Sequence, residues 1–356
     1  MPDIRPSHIR VAVLGAGGLG KAAAKIISMK RELLLTAICD SHGVVAAEEG
    51  LNAAELSTIT GDLVDGFEQL SHGALQRSAE ANGHGGVAVA AAVTAKHCDD
   101  PIAEMIAIAS SYDAVVIALP NLPNEFIPGV IERFAQANQS LVFVDVLKRT
   151  TAVNQMFELD ETVQRAQSVV MTGCGATPGL LAAAAVLAAQ SFIQVETVNI
   201  WWGVGIANWD AYKATIREDI AHLPGYSVER AKAMTDAEVE ALLARTNGLL
   251  ELRHMEHADD VLLQRVGVVD ELDQVEVGGV MDTRHPKKPV STTMTLTGIT
   301  HDGKRSAHTF ILGDETTMAA NVIGPALGYL QRALWCRDHG LYGVFGCTEF
   351  LPMVVR

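Results

Sequence analysis

The chain is short of positive charge, of cysteine and of any long apolar run, and each shortage closes off a class of function. Lysine and arginine number 27 against 42 aspartates and glutamates, for a formal net charge of −15. A protein this anionic is repelled by the phosphates of a nucleic-acid backbone, so no nucleic-acid partner is expected. The longest apolar run, Leu180–Ala189, suits a buried helix and is about half of what a membrane-spanning helix needs, so no membrane partner is expected either. The five cysteines, at positions 39, 98, 174, 336 and 347, are odd in number and include no pair at metal-ligand spacing. That argues against a disulfide framework, predicts no metal site, and points to a reducing cytoplasm. The opening residues Met1, Pro2, Asp3, Ile4 and Arg5 carry no apolar core, so no secretory signal is expected.

What is present fits a folded enzyme-sized chain. It has 356 residues, 49% of them hydrophobic and 19% charged, with room for two domains. Ile9–Leu14 reads as a strand, Lys21–Lys30 as a helix and Leu33–Cys39 as a second strand, a βαβ unit. Between its first strand and helix lies Gly15-Ala16-Gly17-Gly18-Leu19-Gly20, with Asp40 twenty residues beyond Gly20. The pattern is the dinucleotide fingerprint in its required context. One glycine makes the tight turn, a second lets the backbone approach a pyrophosphate, a third lets helix and strand touch, and free N–H groups face the phosphates. Asp40 would accept from the adenosine ribose, which favours NAD over NADP, although His42 stands close enough to meet a 2′-phosphate. An ordinary glycine-rich turn is the alternative.

Farther along, Val87–Val93 is a candidate third strand and Pro101–Ser111 a helix. Ala114–Leu119, Leu141–Leu147 and Val169–Met171 are near-continuous apolar runs, as in a parallel sheet covered on both faces. Leu119, Pro120 and Asn121, after the first of these strands, complete the expected cofactor site. In the second half, Gln194–Trp202, Val275–Val277 and Thr292–Thr300 read as strands. His301–Lys304 turns Thr292–Thr300 back into Ser306–Leu312 as a hairpin. The expected fold is α/β: a Rossmann-type doubly wound parallel sheet over 1–172, rejoined by 315–356, and a second α+β domain built on an antiparallel sheet over 173–314.

Ligands of such sheets sit outside the carboxyl ends of the strands. Of the chain's ten lysines, Lys148 alone ends a strand of the first domain. There it can attack a ketone as a nucleophile or simply pair with a carboxylate or phosphate. Arg149 would ease its deprotonation if the strand has ended before it, since strand neighbours point to opposite faces. Cys174, in Gly173-Cys174-Gly175-Ala176-Thr177-Pro178-Gly179, competes as a thioester-forming nucleophile with His285 as its acid–base partner. Its other reading is a small residue in a tight loop. Thr177 and Pro178 read as the cap and first position of the helix that follows. His254 and His257, three apart among acidic residues, read as a solvated helix face. Tyr212, clustered with Trp201, Trp202, Trp209 and Tyr226 near Arg217, is a candidate for lining a substrate pocket, with Arg217 or Arg284 receiving a carboxylate; core aromatics plus surface charge is the equal alternative.

The glycine loop, Asp113–Pro123, Val144–Arg149, Thr172–Leu181 and Leu312–Asn321 together resemble the saccharopine-dehydrogenase-like oxidoreductases. Among them the chain most resembles the BioU family, the (S)-8-amino-7-oxononanoate synthases of biotin biosynthesis. The resemblance covers most of the chain, is weakest across Val44–Asp100, and turns on the lysine that Lys148 matches. It implies a suicide enzyme. The Lys148 amine would form an imine with the ketone of 8-amino-7-oxononanoate, to be reduced by NAD(P)H. The conjugate would be carboxylated by carbon dioxide or bicarbonate, then oxidised by NAD(P)+. Release of 7,8-diaminononanoate carbamate would leave Lys148 as allysine. The residues themselves also fit a multiple-turnover imine or carbonyl oxidoreductase using NAD or NADP, the Cys174 enzyme, or a nucleotide-sensing scaffold without chemistry. A homo-oligomer is allowed for.

Overall fold

The computed structural model describes residues 8–70, 93–120, 122–206, 213–313 and 318–356. Its first half runs β1 (Ile9–Leu14), α1 (Gly18–Ser28), β2 (Leu33–Cys39), β3 (Gly43–Ala47), α2 (Ala53–Thr58), α3 (63–70), β4 (Val93–His97), α4 (Pro101–Ala107), β5 (Ala114–Ile117), α5 (Phe126–Gln136), β6 (Val142–Asp145), α6 (Thr150–Phe157), α7 (Asp160–Arg165) and β7 (Val169–Thr172). There follow α8 (Leu180–Ala189), β8 (Phe192–Gly205), α9 (Lys213–Ile220), α10 (Val228–Ala233), α11 (Asp236–Arg245), β9 (Leu249–Leu252), α12 (Asp259–Arg265), β10 (Val275–Asp282), β11 (Thr293–Thr300), β12 (Arg305–Ile311), α13 (Met318–Asp338) and β13 (Gly343–Gly346).

The first sheet has the order β13-β7-β6-β5-β1-β2-β3-β4. From β13 to β2 every pairing is parallel. Its strands are apolar on both sides because helices cover both faces. Val11 and Val13 of β1 pack toward α1 and α13, with Ala23, Ile27 and Ala326, while Ala12 and Leu14 pack toward α5, with Val130 and Phe134. Alternate residues thus feed alternate layers, the geometry a pleated strand imposes.

The far edge departs from expectation. In place of a further parallel crossover, β3 and β4 extend the sheet antiparallel from β2. The cause is local: the Asp40 carboxylate accepts the backbone N–H groups of His42 and Gly43 at 2.7 and 3.0 Å, turning the chain straight back. Of the expected strand Val87–Val93, residues 87–92 lie outside the described residues, and Val93 is the first residue of β4 as described.

The second sheet has the order β12-β11-β8-β10-β9. Three of its pairings are antiparallel, including the expected hairpin β11–β12, and β8 runs parallel to β10. The helix after the Cys174 segment also differs from its sequence reading. It opens at Leu180 with Gly179 as its cap at φ 124°, and the Thr177–Pro178 bond is cis. Thr177 therefore does not cap it; the hydroxyl donates to Asp259 at 2.6 Å. At the end of the chain α13 lies against β5, β6 and β7, and β13 pairs with β7. No helix among the described residues is long and apolar enough to cross a membrane.

Candidate active site

The glycine loop assigns a distinct job to each glycine. Gly15 has φ 108°, and a Cβ there would stand 2.5 Å from the Ala118 carbonyl oxygen, so β1 and the end of β5 touch through it. A Cβ on Gly20 would stand 1.8 Å from the Gly15 carbonyl oxygen. Gly17 and Gly18, by contrast, face open space at the start of α1. Tight turn, close helix contact and an uncovered backbone at a helix N-terminus are what a pyrophosphate needs, so the cradle fits a dinucleotide. Ala16 and Leu19 are half-buried between these glycines. Asp40 ends β2 beside this loop. Besides its two turn contacts it accepts from Leu63 N–H at 3.0 Å, so it already holds three backbone donors. His42 lies 3.7 Å from both Asp40 and Asp62.

A small cleft, open to solvent, lies beyond the carboxyl ends of β5 and β6. Leu119, Pro120, Ile127 and Val146 form its apolar walls, and Lys148 and Arg149 supply its charge. Asn121 lies outside the described residues, as do Tyr212 and Trp209.

Lys148 reaches this cleft because of a buried acid. β6 ends at Asp145, which is fully buried. One of its oxygens accepts from Leu147 N–H, Thr172 Oγ1 and Gly173 N–H at 3.0, 3.1 and 2.9 Å. The first contact bends the chain out of the sheet within two residues, and the other two tie it to the end of β7. Burial pushes the Asp145 carboxyl up to about 6 against the pull of those three donors. The strand has therefore ended before Lys148, and Lys148 and Arg149 turn to the same partner. The Lys148 carbonyl accepts from Ala258 N–H at 2.8 Å, fixing its backbone to the segment before α12.

The Lys148 amine, on a side chain that is 29% exposed, stands 3.9 Å from Glu218 Oε2 and 3.9 Å from Asp219 Oδ1 on α9. Arg149 clamps the same corner: its guanidinium donates to Glu218 Oε1 at 3.2 and 3.0 Å, to the Leu122 carbonyl at 2.9 Å and to Asn124 at 3.1 Å. Asp219 is 4% exposed. Burial raises its carboxyl to about 6, with Lys148 and His257 pulling it down and Glu218 pushing it up. Nearby, burial and Lys148 lower the His222 imidazole. The corner thus offers an amine, a committed carboxylate and a buried acid in one place.

Sequence reasoning missed Glu218, Asp219 and Asp145. A signal for Asp219 was there: Ile216 and Ile220 form the buried stripe of α9, and position 219 falls on that stripe, where a charge is out of place.

Other candidates lie elsewhere. Arg217 is taken up by Asp236 at 2.6 Å and by the Met234 carbonyl, a tie between α9 and the α10–α11 junction. Arg284 is exposed, with its guanidinium on Asn247 at 3.0 Å. Cys174 is fully buried, burial drives its thiol well above the ordinary range, and it donates to the Thr172 carbonyl at 3.5 Å. His285 is exposed and paired with Asp282 at 2.9 Å. The pair His254 and His257 is not a helix face. Both precede α12; His254 is exposed, and His257 is buried with Asp259 2.7 Å away. Trp201 stacks under Arg253, and Tyr226 under Arg230.

No family model matches the chain. In sequence it is 45% identical over 352 residues to the (S)-8-amino-7-oxononanoate synthase BioU of Haloferax mediterranei, covering 97% of this chain and 99% of that one. In fold it is similar to an engineered D-amino acid dehydrogenase bound to NADP+, at TM-score 0.52 and 15% identity over 96% of this chain and 94% of that one. It is similar likewise to the DAP dehydrogenase of C. glutamicum in complex with DAP, at TM-score 0.52 and 16% identity over 96% and 93%. Likeness at these identities concerns the fold alone.

Proposed function

Because the chain belongs to the BioU family of (S)-8-amino-7-oxononanoate synthases, we propose that it acts once in biotin biosynthesis and donates the nitrogen of its own Lys148. The supporting observation is the placement of that amine, in the cleft beyond β5 and β6 that Leu119 and Pro120 also line. The substrate is 8-amino-7-oxononanoate. Gly15, Gly17, Gly18 and Gly20 with Ala16 and Leu19 would hold NAD or NADP, Asp40 would meet its ribose, and the loop of Leu119, Pro120 and Asn121 would close the cofactor site. When bound, that cofactor supplies a hydride in its reduced form and accepts one in its oxidised form.

Lys148 attacks the ketone carbon, and loss of water leaves an imine between protein and substrate. The apolar side chains of Ile127 and Val146 would cover one side of that imine. In the net reaction the ketone C=O becomes CH–NH2 and the Lys148 side chain CH2–NH2 becomes CHO. Oxygen and nitrogen change places, and the hydrogen gained by one carbon equals that lost by the other. Carbon dioxide, added to the substrate's own amine, completes the expected carbamate product.

The test is a mass measurement. The protein is incubated with 8-amino-7-oxononanoate, NAD(P)H and bicarbonate, then digested, and the peptide spanning position 148 is weighed. An aldehyde at 148 with one product per chain is expected, and Lys148→Arg should give neither. Product beyond one equivalent with an unaltered lysine rejects single turnover in favour of a recycling oxidoreductase.

A further inference from the structure

An amine flanked by two carboxylates needs one of them to move its proton, and the surroundings distinguish the two. Glu218 is committed: one of its oxygens accepts two N–H groups of Arg149, so a fixed guanidinium balances its charge. Asp219 is differently placed. Its side chain is buried, and among the described residues its one partner within 4.0 Å is the Lys148 amine. Among the described residues no hydrogen-bond donor reaches its oxygens, and a buried carboxylate in that position is costly unless something else retains it there.

We infer that Asp219 is the acid–base residue for the Lys148 amine. The inference rests on the lysine-donation reading above. In the first step a proton passes from the Lys148 ammonium to Asp219, leaving a free amine and a neutral acid. The amine adds to the ketone carbon, and its nitrogen passes one proton to the new alkoxide to give a carbinolamine. Asp219 then returns its proton to the carbinolamine hydroxyl. Water leaves, an iminium remains, and Asp219 is a carboxylate again. Of the three protons that began on nitrogen, two depart with water and one stays. The separation of 3.9 Å is long for proton transfer, as such contacts commonly are before substrate is bound.

The environment suits the role. Lys148 from the loop after β6, His257 from the segment before α12, and Glu218 on α9 itself are the charged or titratable groups felt by Asp219. Their balance with burial sets the carboxyl near 6, close enough to neutrality for it to give and to take a proton.

The experiment measures imine formation alone. Wild type and Asp219→Asn are mixed with 8-amino-7-oxononanoate and sodium cyanoborohydride without nicotinamide, and the rate of adduct formation at Lys148 is followed by intact mass from about pH 5 to about pH 8. Wild type should slow as pH falls through about 6, as Asp219 loses its ability to take the proton. Asp219→Asn should be slower by about 100-fold near neutrality, within the usual range for acid–base groups. It should also lose that limb, its rate climbing with hydroxide. Asp219→Glu should restore the limb in part. Wild type serves by itself if Asp219→Asn fails to fold: an adduct rate flat across pH 6 overturns the inference. So does an Asp219→Asn rate and profile equal to wild type, and in both cases the lysine-donation reading stands. If wild type forms no adduct at Lys148, that reading falls and carries the inference with it.

Discussion

The glycine loop after β1 and the corner after β6 are built by different means. At the β1–α1 end the working parts are backbone: Gly17 and Gly18 expose N–H groups, while Gly15 and Gly20 let chain segments touch. At the β6 end they are side chains drawn from distant elements: Asp145 and Lys148 from around β6, Glu218 and Asp219 from α9, His257 from the approach to α12. A backbone site is specified by neighbours in sequence, because only glycine satisfies its steric demands. A side-chain site is specified by packing, which brings together residues that any loop length could separate. The first is stiff and cheap to recognise. The second keeps ionisable groups out of water, at a cost the rest of the fold must offset.

The sharpest way to break this contrast is a pair of alanines in the glycine loop. Gly20→Ala forces a Cβ to within 1.8 Å of a backbone oxygen, and it should lower stability by on the order of 3 kcal/mol, read as a fall in denaturation midpoint. Gly17→Ala meets nothing within 4 Å and should change stability by less than about 1 kcal/mol, yet weaken NAD(P) binding measured by fluorescence titration. Equal effects of the two on stability would show that the loop is not built as described.

A smaller effect should come from the buried acid at the other end. The Asp145 carboxyl titrates near 3.9 in an unfolded chain and about 6 in the folded one. The folded chain therefore binds the proton more tightly between those values, and stability falls as pH rises from about 4 to about 6. The loss is about 2–3 kcal/mol, complete above the folded value. Asp145→Asn should flatten this part of the curve of melting temperature against pH, since it keeps the oxygen that Leu147 and Gly173 use. An unchanged curve would mean that the acid is hydrated. The smallest effect should come from Cys174→Ala, which removes a buried thiol: about 1 kcal/mol of stability and no change in adduct formation at Lys148. Loss of the adduct there would return the thiol to candidacy.

What the sequence made legible follows the same division. The βαβ unit, the parallel strands β5, β6 and β7 and the hairpin β11–β12 all have local causes: apolar runs, glycines, a turn between two alternating segments. Lys148 stood out through its position after an apolar strand. The carboxylates opposite it did not, because Glu218 lies 70 positions beyond Lys148 and no pattern within α9 names its neighbour. The antiparallel edge β3–β4 was missed for another reason: Asp40 was read for a ligand alone, and its oxygens also turn the backbone. Polar residues with two competing uses are where reading a sequence alone gives way.

The last strand carries a consequence for synthesis. Residues 343–346 complete the sheet begun at residues 9–14, and Tyr329 donates from α13 to the Cys347 carbonyl at 2.7 Å. A ribosome delivers the glycine loop first and this strand hundreds of residues later. The nascent first sheet must therefore wait, with the β7 edge unpaired, until the whole intervening second sheet has emerged.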